Sequence, residues 1–111
     1  NHRVLTITKK GYIIIVKYAV LATLKAIAGK DSEVEEFLKS AVPLVADEPD
    51  TVTWYALKFD DSTFGIFDTF DTEDGRDAHL NGKVAAALME KADELFSESP
   101  DIKKLEILAE K

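Results

Sequence analysis

The feature that most constrains this chain is the apolar character of its strand-forming segments on both of their faces. Residues 18–27, YAVLATLKAI, alternate Tyr18, Val20, Ala22 and Leu24 with Ala19, Leu21, Thr23 and Ile27. In 51–59, TVTWYALKF, Trp54 alternates with Tyr55 and Leu57. In 63–70, TFGIFDTF, Phe67 points opposite to Phe64, Ile66 and Phe70. Successive strand residues face opposite ways, so a sheet with one wet face alternates apolar and polar residues. These segments do not, and a sheet built from them needs cover on both sides.

The helical segments are too few to supply both covers. Ser32 followed by Glu35 fits a capping box. Val34, Phe37, Leu38, Ala41, Val42 and Val45 then recur at helical spacing, predicting one helix that Pro43 bends or shortens before the acidic turn DEPD at 47–50. Residues 51–59 and 63–70, joined by Asp60-Asp61-Ser62, predict a hairpin of β-branched and aromatic strands. Thr72 is placed to cap a short helix over 73–80, which Asn81-Gly82 breaks. A longer amphipathic helix follows over 83–96, then Ser99-Pro100, then a last strand over 102–109. The order is β-α-β-β-α-β, an α+β arrangement of the ferredoxin-like kind with one four-stranded antiparallel sheet and its helices on one face. The uncovered face then calls for a symmetric partner sheet, hence a homodimer.

Residues 1–17 stand outside this plan as an N-terminal extension to the domain at 18–111. Residues 4–8 and 12–16 either form a hairpin around Lys9-Lys10-Gly11, lie as an arm along a sheet edge, or belong to a leader without fixed order, the sequence lacking an initial methionine. The fold should be complete without them.

At 111 residues, 46% hydrophobic and 32% charged, the chain is one soluble globular domain. The absence of cysteine removes disulfides, thiolate metal sites and a cysteine nucleophile. No apolar run approaches the roughly 18 residues of a membrane helix, and Lys17 interrupts any signal-like start, so the expected location is cytoplasmic. Residues 1–30 carry six bases and no acid, leaving 8 bases against 21 acids in the remainder. An acidic body repels phosphate backbones, which argues against nucleic acid as a partner.

A βαββαβ unit with two apolar sheet faces, with Thr53-Trp54-Tyr55-Ala56-Leu57 on its second strand, Phe64-Gly-Ile-Phe-Asp-Thr-Phe70 on its third and Ala78-His79-Leu80-Asn81 on the helix that follows, resembles the antibiotic biosynthesis monooxygenase-like dimeric α/β-barrel family. The resemblance covers roughly residues 20–109. It implies a homodimer with a pocket in each subunit between sheet and helices, near His79. It also implies cofactor-independent oxygenation of a quinol or polycyclic phenol, or haem degradation. Many relatives end the third strand with tryptophan and carry glutamate two residues earlier, where this chain has Phe70 and Asp68. Haem-degrading members use an asparagine on the first strand, which YAVLATLKAI lacks. Haem degradation is therefore disfavoured, although His79 matches the position of their iron ligand.

His79 is the one histidine away from the amino-terminal residues, and its ordinary pKa suits proton transfer near neutrality. It is the candidate base that deprotonates a phenol; a histidine capping a helix end is the alternative. Asn81 offers a hydrogen bond to an oxyanion, or simply tolerates a turn before glycine. Asp68 interrupts an apolar strand, either as a buried carboxylate with a raised pKa or as a surface partner of Arg76 or a lysine. Tyr55 and Trp54 face opposite ways, so one lines the helix-side pocket and the other the dimer interface. Phe64, Phe70 and Leu88 are the expected apolar wall. No metal constellation, phosphate loop or hydrolase signature is visible. The first reading is a cofactor-free monooxygenase with His79, Asn81 and Tyr55 at the chemistry and Trp54, Phe64, Asp68, Phe70 and Leu88 around the substrate. The second is a non-catalytic dimeric barrel that binds or senses a small apolar molecule.

Overall fold

The structure is a computed structural model that describes residues 17–111 throughout and, before them, the backbone of two strands, β1 (Val4–Ile7) and β2 (Ile13–Val16). These two pair antiparallel, with Val4 opposite Val16 and Ile7 opposite Ile13, as a sheet of their own. The turn expected at Lys9-Lys10-Gly11 lies outside the described residues.

Strands β3 (Tyr18–Lys25), β4 (Thr51–Lys58), β5 (Thr63–Phe70) and β6 (Asp101–Glu106) form one antiparallel sheet in the order β4-β5-β3-β6. With the intervening helices this is the ferredoxin-like α+β fold. The Asp60 carboxylate organises the β4–β5 turn by accepting from the amides of Ser62 at 3.0 Å and Thr63 at 2.8 Å. Strand β6 stops at Glu106, short of the expected 109. Strand β3 stops at Lys25, after which Ala26 bridges Phe96 and Gly29, at φ +84°, turns the chain.

The expected single helix is two, α1 (Asp31–Ser40) and α2 (Val42–Ala46). Pro43 sits in the first turn of α2, the one place where a missing amide proton costs no helical bond. The capping box is not formed. Lys30 occupies the cap position without a side-chain bond, because the helix starts directly after the turn at Ala28-Gly29, two residues earlier than a Ser32 cap would place it. Asp31 and Glu33 then lie in the first turn, where the helix dipole favours acids. Helices α3 (Glu73–Leu80) and α4 (Lys83–Leu95) follow the sequence reading closely, and the Thr72 hydroxyl accepts from the Gly75 amide at 2.9 Å.

Directly opposed residues share a sheet face, so the register sorts the side chains. Ala22, Leu24, Phe64 and Ile66 face the helices and pack with Val34, Leu38, Leu88, Leu95 and Phe96 in one buried core. Each of these side chains larger than alanine contributes about 1.5–3 kcal/mol on burial. Leu21, Phe67, Tyr55, Leu57 and Thr23 face the other way, where no described helix lies; Tyr55 is 54% exposed and Phe59 51%. None of the described helices is long and apolar enough to cross a membrane.

Candidate functional site

Helix α3 turns Gly75, Arg76 and His79 toward the sheet, the three buried positions of an eight-residue helix at helical spacing. The His79 ring lands on the wall formed by the end of β5. Its Nε2 lies 2.9 Å from Asp68 Oδ2, and its centroid lies 5.3 Å from that of the Phe70 ring. On the opposite edge of the ring, Nδ1 lies 2.5 Å from Glu48 Oε1. Glu48 comes from the turn between α2 and β4, and the same oxygen accepts from the Thr51 hydroxyl at 2.8 Å.

Two local features allow that approach. The β4–β5 register shifts by one residue at Val52, so Thr51 stands opposite Phe70 on the helix side instead of facing away from it. The glycines of α3 and its exit leave room for the turn. A Cβ on Gly75 would lie 3.0 Å from the Asp50 Cβ, and one on Gly82 would lie 3.3 Å from Glu48 Oε2.

The result is an imidazole between two carboxylates, with His79 and Asp68 buried and Glu48 partly so. Asp68 is 1% exposed and His79 7%. Burial opposes the charged form of His79, but hydrogen bonds to Asp68 and Glu48, with their charges, outweigh it and hold the pKa above the ordinary histidine value. Burial pushes the Asp68 carboxyl up from its ordinary value, against the pull of His79. Each ring nitrogen faces a carboxylate oxygen, an arrangement that favours the charged, doubly donating form of the ring. Neither Glu48 Oε2 nor Asp68 Oδ1 has a hydrogen-bond partner, and both are shielded.

A cleft of about 290 Å³ opens beside Glu48 and His79, walled by Leu44, Pro49, Ala78 and Lys83. A second, of about 260 Å³, lies on the other side of Glu48, between α2 and the start of β4, and includes Val42, Val45 and Trp54. Glu48 and Thr51 border both. The Trp54 indole nitrogen is shielded and unpartnered.

Of the residues singled out in the sequence, the fold brings His79, Asp68 and Phe70 together, with Trp54 directly across from Asp68 on the same sheet face. Tyr55 is not with them. It pairs with Phe67 on the helix-free face, because the strand alternation that turns Trp54 inward turns its neighbour outward. Asn81 is exposed and spends its side-chain amide on the Asp77 carbonyl at 2.9 Å, ending α3. Phe64 and Leu88 belong to the packed core, and Phe64 edges a separate recess of about 160 Å³ instead of the cleft at His79. Asp68 takes the buried alternative and does not pair with Arg76, which donates to the carbonyls of Leu105 at 3.1 Å and Ala19 at 3.4 Å beneath the Tyr18 ring.

Glu48 was invisible as a site residue. In the sequence it is one acid among three in a turn, 31 positions from His79. Among the described residues no group of three or more His, Asp or Glu is arranged to hold a metal ion. The Glu48 and Asp68 oxygens lie on opposite edges of the ring and do not converge on a common point.

No protein-family model matches the sequence, and no curated protein matches it. Among solved structures, the NE2512 protein of unknown function from Nitrosomonas europaea is 50% identical, over 86% of this chain and 93% of that one, with a TM-score of 0.84. A second Nitrosomonas europaea structure, described as a "putative antibiotic biosynthesis monooxygenase", matches 82% of this chain and 98% of its own at 14% identity and a TM-score of 0.72. One of the same description from Caulobacter crescentus matches 84% and 91% at 20% identity and a TM-score of 0.70.

Proposed function

Because the chain belongs to one family with the NE2512 protein of Nitrosomonas europaea and has the antibiotic biosynthesis monooxygenase-like fold, we propose that it is a cofactor-independent monooxygenase of a phenol or quinol. The observation that carries this reading is the Glu48–His79–Asp68 array at the wall of a cleft on the helix side of the sheet. Buried proton-transfer groups beside a cavity are the arrangement that acid–base catalysis needs.

The array changes the division of labour foreseen for His79. With both nitrogens donating, the ring has no free lone pair and is not itself the base. Glu48, on the cleft side, takes the phenolic proton and, once neutral, gives up His79 Nδ1–H to the phenolate that results. Asp68 holds the ring in place and keeps it charged. An ionised phenol is electron-rich enough to reduce dioxygen, the co-reactant. A ring C–H becomes C=O with one oxygen atom, the phenolic C–O becomes the second C=O, and the other oxygen leaves as water. All four electrons come from the substrate, so the phenol ends as a quinone.

The same reading makes the helix-free face an interface with a second copy, sheet against sheet. Phe67, Tyr55, Leu57, Leu21 and Thr23 supply its apolar and neutral surface. Phe67→Asp should then yield a folded monomer in sedimentation at micromolar concentration, since a buried unpaired charge is costly. A wild-type protein that sediments as a monomer removes this part of the proposal.

Oxygen uptake with a panel of one- to three-ring phenols and quinols tests the chemistry. Uptake should fall by about 100-fold or more in His79→Ala and in Glu48→Gln, the usual scale for losing an acid–base group. A second reading, a barrel that binds a small aromatic molecule without turnover, is favoured by the engagement of both ring nitrogens. Saturable binding with no oxygen uptake by any panel member would select it.

A further inference from the structure

We propose that Glu48 is a displaceable partition: the clefts on its two sides are halves of one ligand site, joined when a ligand hydroxyl takes its place on His79. This rests on the helix-side pocket just described, but not on turnover in it. The first observation is the shared wall. Clefts of about 290 and 260 Å³ both border Glu48 and Thr51. Either alone is below or at the lower end of small-molecule pockets, and together they fall well inside the range.

The second observation is the set of unpartnered groups. Glu48 binds through Oε1 alone, leaving Oε2 shielded and unpartnered, and the indole nitrogen of Trp54, a residue that lines the second cleft, is also shielded and unpartnered. Such groups carry a desolvation cost that a partner removes. If the Glu48 side chain swings out, its carboxylate regains water and His79 Nδ1–H faces the enlarged cavity. The joined space then has the His79 ring at one end and Trp54 along its wall at the other. It matches a flat fused-ring ligand with an acidic hydroxyl at the His79 end.

The third observation is how lightly the segment carrying Glu48 is held. Helix α2 buries none of its side chains, and Val42 is 53% and Leu44 38% exposed. Beyond the backbone, Glu48 itself supplies the described side-chain bonds from this segment to α3. Motion there leaves the hydrophobic core intact.

Because Trp54 is the chain's single tryptophan and lines the cleft away from His79, its emission reports whether a ligand reaches through the partition. The test uses 1-naphthol, 9-phenanthrol and phenanthrene, without oxygen so that turnover plays no part. Calorimetry gives affinity, and iodide quenching gives Trp54 accessibility. Wild-type protein should bind 9-phenanthrol with protection of Trp54 and should bind phenanthrene far more weakly. Glu48→Ala should bind 9-phenanthrol about tenfold more tightly, because the closed state no longer competes, with a smaller gain for 1-naphthol. Glu48→Gln, which keeps the size and one hydrogen bond but not the charge, should lie between, and it serves if the alanine variant does not fold.

Unchanged or weaker 9-phenanthrol binding in the folded variant overturns the partition. So does a Trp54 that stays equally accessible when 9-phenanthrol is bound. Binding as expected without oxygen uptake in air would instead remove the monooxygenase reading and leave the partition standing.

Discussion

The two faces of the sheet are made by the same strands yet solve opposite problems. On the helix side, Leu24, Phe64 and Ile66 are buried, and the charged groups Asp68, His79 and Arg76 are buried with them, each with defined partners. On the other side, Tyr55 and Phe59 are half exposed and the central positions are Phe67, Leu57, Thr53 and Thr69, without an ionisable group. Buried charge occurs where helices and a turn bring it a partner; the face without them is uncharged at its centre, with Lys103 and Asp101 exposed on the edge strand β6, and is still apolar. A helix-covered face can hold chemistry, whereas the other is suited to a copy of itself.

The largest expected effect tests that contrast directly. Phe64→Ala should cost about 3–5 kcal/mol, the usual price of an emptied aromatic site, while Tyr55→Ala should cost under about 1 kcal/mol in the monomer. Chemical denaturation at low protein concentration, where any dimer has dissociated, checks both. Equal losses would mean that the open face is as closely packed within one chain as the core.

Next in size, Asp68→Ala should lose about 3 kcal/mol by leaving a buried imidazole edge unpaired. It should also move the His79 titration toward lower pH, which proton NMR of the ring follows. A variant as stable as wild type would show that the array is held by Glu48 alone.

A smaller effect follows from pH. The folded-state pKa of His79 lies above its ordinary value of 6.5, so the folded protein holds a proton that the unfolded chain releases first. That contribution is complete below about pH 6.5 and is lost as the pH rises through the folded value. Asp68, raised from 3.8, has the same sign in its own window, where ionisation on raising the pH also lowers stability. Melting temperature should therefore decline from pH 6 toward pH 9, and less so in His79→Gln. A rising curve over that range contradicts the doubly bonded imidazolium.

The smallest effect lies on the open face. A Cβ on Gly65 would come within 2.9 Å of the Phe59 ring and 3.1 Å of the Ala22 carbonyl oxygen. The ring can move but the carbonyl cannot, so Gly65→Ala should cost about 1–2 kcal/mol, read from the denaturation midpoint. A neutral result would show that β3 and β5 separate freely there.

Sequence periodicity by itself determined the element order, the β4–β5 hairpin, the Thr72 cap and the break at Asn81-Gly82, because those depend on residues within a few positions of one another. It also showed that both sheet faces are apolar, and that Trp54 and Tyr55 must part company. Which of the two turns inward depended on the pairing of Trp54 with Asp68, a register between strands. The burial of Asp68 depended on α3 closing over β5. Glu48 needed most of all: a one-residue shift at Val52 and close approaches at Gly75 and Gly82 that bring a turn 31 residues distant against His79. Such contacts leave no periodic trace, because their energy comes from groups that meet only after the chain has packed.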